Sequence, residues 1–295
     1  MKTAILNSIA GLWNRLPLIA RAVLSGCLVS TLGVFTWNAM LSTLPAPWVI
    51  LPMIAALWIF WRFFSGKWGS TAGKQSRAKR FRSTSLSPLT WKWGLAAAVF
   101  FVIVIQSSFV VTFGVIDFPA AKFAADYKIV DTYPLWVAYL IIIMSSVTAA
   151  IVEEAGFRGY MQAPLEKRYG TAPAIFITSL VFTTIHLGHT WALPIWPHIF
   201  FASILLGVIA YKTCSLIPGI IGHAILDIFD YSFWWTDLNG GFQKQTIFKT
   251  GVDMHFMVWV LIFLFAIFGF FKIIERLSRS NKSSIADVYE CAVVV

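Results

Sequence analysis

Six side chains with chemistry to offer stand where hydrocarbon is expected. Glu153 and Glu154 follow the apolar stretch "PLWVAYLIIIMSSVTAA" (134–150), and Arg158 lies four residues beyond Glu154. His186 closes a second apolar run, and His223 and Asp227 fall four apart in "GHAILDIFD" (222–230). An unpaired charge in a bilayer costs from ~3 to more than ~10 kcal/mol, so such groups face the bundle interior and find partners. Glu154 and Arg158 are spaced i, i+4 with the acid first, the favourable order for a helical ion pair. That pairing leaves Glu153 with no cation on its own face. An unpaired carboxyl in a dry site is suited to proton transfer.

His223 and Asp227 share one helix face, so Asp227 is expected to orient the imidazole or to join it in holding a water or a metal. "KRYGT" (167–171) reads as a polar turn between two helical arms. Glu153 lies 16 residues before Tyr169 and His186 lies 17 after it. At 1.5 Å per residue both stand roughly 25 Å along their arms, which brings them near each other. Pro164 is expected to kink or break the first arm. One Glu, two His and one Asp from three helices form a set able to activate water, with or without zinc. In the metal form, Glu153, His186 and His223 are the candidate ligands of Zn2+. No HExxH helix occurs, and neither a serine nor a paired-aspartate protease motif is seen. His189, His198 and His255 are read as interfacial, and Asp230 as a neighbour that supports Asp227.

The elements that must position these groups are membrane helices. Of the 295 residues 58% are hydrophobic and 12% charged; a soluble domain carries about a quarter charged residues. The fold class expected is all-α, a polytopic bundle of about eight transmembrane helices at 18–41, 47–64, 94–116, 134–153, 172–188, 195–211, 214–234 and 255–274. The first run follows basic residues but is long and is followed by others, so it is read as an uncleaved span rather than a signal peptide. Residues 3–16 are read as an amphipathic surface helix. With the N-terminus inside, nineteen Lys and Arg fall on the inner side and four, Lys122, Lys128, Lys244 and Lys249, on the outer. This distribution predicts N-in/C-in topology. It also accounts for the net charge of +10 without nucleic acid, which is not an expected partner. The basic loop 65–93 reads as a mobile segment that sets topology and touches anionic headgroups. Three regions are expected: N-terminal helices with the basic loop (1–133), a core that carries the six polar groups and that the resemblance given below implies is catalytic (134–234), and an outer loop, last helix and tail (235–295). Cys27, Cys214 and Cys291 form no disulfide or metal spacing, and Cys291 is fifth from the end, so "CAVVV" is not a prenylation box.

Three motifs in this order resemble those of the CPBP family, the CAAX-processing and bacteriocin-processing intramembrane endopeptidases also called type II CAAX endopeptidases or Abi proteins. "EEAGFRG" (153–159) is similar to the EExxxR motif, "FTTIH" (182–186) to FxxxH, and "HAILD" (223–227) to the His followed four later by Asn or Asp. The similarity covers about 134–234. It implies a multi-helix membrane protease in which Glu153 is catalytic together with His186, His223 and Asp227, with Glu154 and Arg158 in support. Many members carry Asn where this chain has Asp227. The expected activity is hydrolysis of a peptide bond in a membrane-associated peptide, CAAX-like or leader-type. The expected partners are that substrate and the lipid bilayer, in a bacterial plasma membrane. Two rival readings stay open on the sequence: a non-catalytic scaffold or immunity factor on the same fold, and a proton-coupled transporter.

Overall fold

The computed structural model describes residues 11, 13–82, 86–124, 130–236, 238 and 245–282. Most of the surface helix read at 3–16, the Gly-Gly of the outer loop and Cys291 lie outside these. Every expected apolar run forms a helix, and no strand occurs among the described residues. Apart from two short turns of helix at Ala120–Ala124 and Ile247–Thr250, the helices are α1 (Leu18–Thr43), α2 (Ile50–Phe64), α3 (Thr71–Phe81), α4 (Pro88–Val115), α5 (Leu135–Glu153), α6 (Ala163–Tyr169), α7 (Thr171–His186), α8 (Ala192–Thr213), α9 (Ile217–Phe233) and α10 (Met254–Lys282). A π-helical stretch, Glu154–Gln162, joins α5 to α6. The protein is an integral membrane helical bundle.

Five helical segments are long and apolar enough to cross a bilayer by themselves: Leu18–Thr43, Pro88–Val115, Leu135–Tyr169, Ala192–Thr213 and Met254–Arg279. α2, α7 and α9 have 15, 16 and 17 residues, roughly 22 to 26 Å of helix against a ~30 Å hydrocarbon core. They are lined by longer neighbours. The outer surface carries bare apolar side chains such as Leu28, Phe35, Trp58, Leu261 and Phe265, as a lipid-facing surface requires.

Two features depart from the sequence reading. Pro164 does not break the first arm. Gln162 and Ala163 keep helical dihedrals, and Pro164 sits in the first turn of α6. There the wide i→i+5 ladder gives way to the α ladder, a change of register at which one backbone N–H can be missing without ending the helix. The basic loop 65–93 is not simply a mobile connector either. Thr71–Phe81 is helical, Phe81 is fully buried, Arg82 pairs with Glu166 of α6, and Arg77 donates to the carbonyls of Phe63 (2.9 Å) and Trp68 (2.7 Å). Apolar anchoring and carbonyl capture by a guanidinium hold down a segment whose composition alone reads as solvated.

The π stretch is the wall shared by two cores. Phe157 and Met161 pack into the cluster built by α4, α7, α8, α9 and α10; Ala155 and Tyr160 pack into the one built by α1, α2 and α5. α1 reaches the stretch through glycine. A methyl group on Gly156 would lie 2.5 Å from the Gly26 carbonyl oxygen, and one on Gly26 would lie 2.8 Å from that of Gly156. Small residues allow this backbone-to-backbone approach between membrane helices.

Candidate active site

Arg158 is the pivot of the site. Its guanidinium is fully buried in the π stretch, 3.0 Å from Glu154 Oε1, which is also fully buried. The i, i+4 pair read from sequence is therefore present. Arg158 Nη2 donates to the carbonyl (3.1 Å) and hydroxyl (2.9 Å) oxygens of Ser203 on α8. The ring of Phe182 on α7 lies 4.8 Å from the guanidinium carbon. One arginine thus ties the site stretch to α7 and α8.

Glu154 does more than neutralise Arg158. Its Oε1 accepts a hydrogen bond from His223 Nδ1 at 3.0 Å, across from α9. To Asp227, which the sequence reading left to orient the imidazole or to join it at a water or metal, the structure adds Glu154 as the group bonded to Nδ1. Asp227 Oδ1 lies 3.6 Å from the other nitrogen, Nε2, and Glu153 Oε2 lies 3.9 Å from that same nitrogen. Helical spacing correctly places Asp227 beside His223. The ring, however, is held through Nδ1 by a group from another helix, which a search within one helix does not find. His223 is 6% exposed, and three carboxylate groups face its ring.

Glu153, His186, His223 and Asp227 all line one cavity of about 620 Å³. His186 Nδ1 lies 2.7 Å from the Phe182 carbonyl oxygen one turn back. As an N–H donor there, it leaves Nε2 as the ring's second nitrogen. Phe182 stacks at an angle on His186 (4.5 Å between centroids) and sits 6.3 Å from His223, so it spaces the two imidazoles. Much of the remaining wall is aromatic or apolar, including Trp37, Phe109, Tyr133 and Trp191.

Residues read as peripheral also reach this cavity. His189, exposed in the turn after α7, and His198 both line it. His189 stacks on Trp191 (5.1 Å, 17°), and His198 Nε2 lies 3.0 Å from Thr112 Oγ1. Asp230, also on the wall, accepts from Gln106 Nε2 at 2.6 Å, and Gln106 Oε1 in turn accepts from Trp234 Nε1 at 2.9 Å. His255 stays apart, as expected, accepting from Trp259 Nε1 one turn on. Sequence reasoning missed Gln106, Ser203 and Gln162. Gln162 Nε2 donates to Glu166 Oε1 (2.7 Å) and to the Gly207 carbonyl (3.0 Å). Glu154, Arg158, Gln162 and Glu166 follow at intervals of four, a polar period that the chain displays openly. Gln106 and Ser203 have no such signal; each is an uncharged polar residue in a mostly apolar helix, with no polar period around it.

The metal form does not fit the side chains as they stand. Among the described residues no group of three or more His, Cys, Asp or Glu converges as ligands of an ion. Glu154 holds His223 Nδ1 and a backbone carbonyl holds His186 Nδ1, so only Nε2 of each ring stays open to a ligand. A zinc shell needs three or four donors at about 2 Å from one point.

No curated protein and no solved structure matches the chain. Residues 134–229 of the 295, the part that carries Glu153, His186, His223 and Asp227, match the model of the family described as type II CAAX prenyl endopeptidase Rce1-like, in agreement with the CPBP resemblance of the motifs.

Proposed function

We propose that the protein is an intramembrane endopeptidase that hydrolyses a peptide bond of a membrane-associated peptide, CAAX-like or leader-type, by water activated on Glu153 and His186. The observation that carries this reading is the meeting of Glu153 and His223 at 3.9 Å on the wall of a cavity that also holds His186 and Asp227. That gap, like the 3.6 Å between His223 and Asp227, exceeds a direct hydrogen bond and lies within reach of one water touching both groups. Glu153, with no guanidinium or ammonium bonded to it among the described residues, takes a proton from that water. The water oxygen attacks the substrate carbonyl carbon. Negative charge gathers on the former carbonyl oxygen, where Nε2–H of a His223 ring protonated on both nitrogens donates; the Glu154 contact at Nδ1 keeps the ring aimed. The C–N bond then breaks, and the proton held by Glu153 or His186 passes to the departing amine. Asp227 borders the same nitrogen and completes the polar wall. The short loops between helices suit a bacterial plasma membrane.

Glu153→Gln and His186→Ala test the reading. The full chain, purified in detergent, is incubated with membrane peptides carrying CAAX-like or leader-type ends. Each change is expected to reduce cleavage by a factor on the order of 10² to 10⁴ while the elution profile stays that of wild type. Undiminished cleavage by Glu153→Gln would remove the proposal.

A further inference from the structure

We propose that a second, smaller cavity, formed by the first turns of α1, by α3 and by the π stretch, binds the phosphate group of an anionic ligand. Its volume is about 90 Å³, and its walls are Trp13, Leu18, Arg21, Ala22, Ser25, Arg80, Tyr160 and Pro164. Two of these are arginines from separate elements, and none is acidic. Neither guanidinium has a carboxylate partner among the described residues. Arg82, Arg158 and Arg279 do, in Glu166, Glu154 and Glu275. Arg80 instead lies 5.9 Å above the Tyr160 ring, and Arg21 Nε is buried with no hydrogen-bond partner.

Two guanidinium charges sharing one small cavity repel each other unless an anion lies between them. Arg presents a planar fork of donors that matches phosphate oxygens. Ser25, four residues after Arg21 on the same face of α1, adds a hydroxyl. The positive end of the α1 dipole lies at the same place, since Leu18 is its first residue. The volume is that of about three waters, enough for one phosphate group and too small for a nucleotide. The cavity lies on the side that the Lys and Arg distribution assigns to the cytoplasm. Basic pockets between helices at that level take phosphate headgroups. Two sources carry the same chemistry: an anionic phospholipid whose tails lie along α1, or free phosphate. The site is separate from the protease cavity and does not depend on the protease reading.

The test uses the full chain in neutral detergent. Thermal unfolding is followed by tryptophan emission, and lipid adducts by native mass spectrometry. One arm adds phosphatidylglycerol, another inorganic phosphate, and a third phosphatidylcholine as a zwitterionic control. Stabilisation by phosphatidylglycerol above phosphatidylcholine, lost in Arg80→Gln and in Arg21→Gln but kept in Arg62→Gln, is the expected result, with at least tenfold weaker lipid retention by the two variants. Arg80 is exposed and its side chain makes no hydrogen bond to another described residue, so its variant folds and keeps the test decisive should Arg21→Gln not. Equal stabilisation by inorganic phosphate would identify free phosphate as the source. Absence of stabilisation in both arms, or equal loss in Arg62→Gln, would overturn the site.

Discussion

Removing Arg158 strands two partners at once. Glu154 and Arg158 are both fully buried, and breaking such a pair from one side costs about 3–5 kcal/mol because a charge is left without compensation. Arg158→Ala should therefore lower the folded yield and the thermal midpoint sharply, and Glu154→Gln with Arg158→Met should recover part of the loss. Equal stability of Arg158→Ala and wild type would show that the buried pair does not hold the site. A second expectation concerns zinc. Since the side chains do not converge as a shell, cleavage should survive exhaustive treatment with a membrane-permeant chelator, measured against a parallel sample given back Zn2+. Abolition by chelation and recovery with zinc would restore the metal form. At this scale the sequence was legible where burial made a charge conspicuous. Glu153, Glu154, Arg158, His186, His223 and Asp227 each stood out against an apolar background. The bond from His223 to Glu154 was not legible, because it joins residues 69 apart in the chain and depends on how α9 packs against the π stretch.

The π stretch is the element on which the geometry turns, and its wide ladder puts Glu154, Arg158 and Gln162 into the interior together. α1 presses on it at Gly26 and Gly156. Gly156→Val adds a branched side chain against the Gly26 carbonyl and Ser30, where something must shift. The expected result is a midpoint lower by several degrees, on the order of 1–3 kcal/mol for overpacking, together with reduced cleavage, since Glu153 and Arg158 flank the position. Gly188→Ala, which meets nothing within 4 Å, should unfold at the wild-type temperature. If Gly156→Val unfolds there too, the contact is not what sets the stretch. The apolar runs of about twenty residues made the long helices readable from composition, and the turn at "KRYGT" made the hairpin readable. The i→i+5 register was not, because it follows from packing against α1 and α8. α3 was hidden for a related reason: eleven residues with four cations resemble a solvated loop until Phe81 and Arg82 find α6 and the π stretch.

Across the whole molecule, contacts between turns sort the loops into two ends. Arg82 with Glu166 holds the α3 region beside the α6–α7 turn. At the other end, Thr190 Oγ1 donates to the Lys122 carbonyl (2.7 Å) and Lys249 pairs with Asp117 (2.8 Å), which joins the α4–α5, α7–α8 and α9–α10 connections. This is the alternation that eight crossings with both termini on one side produce, and it needs no charge count. The charge count then predicts which end is which: the end holding Arg77, Lys79, Arg80 and Arg82 is expected in the cytoplasm, and the end holding Lys122 and Lys249 outside. The two arguments are independent, so their agreement is informative, and the orientation can be tested by labelling. Single cysteines replace Lys79 or Lys249 in a chain whose Cys27, Cys214 and Cys291 have been changed to serine. Both lysines are exposed. A membrane-impermeant maleimide applied to intact cells should modify position 249 and spare position 79 until the cells are permeabilised. Modification of position 79 from outside would reverse the orientation. It would also move the Arg21–Arg80 cavity to the outer leaflet, while the contacts that build the Glu153 site, all made inside the bundle, would stand unchanged.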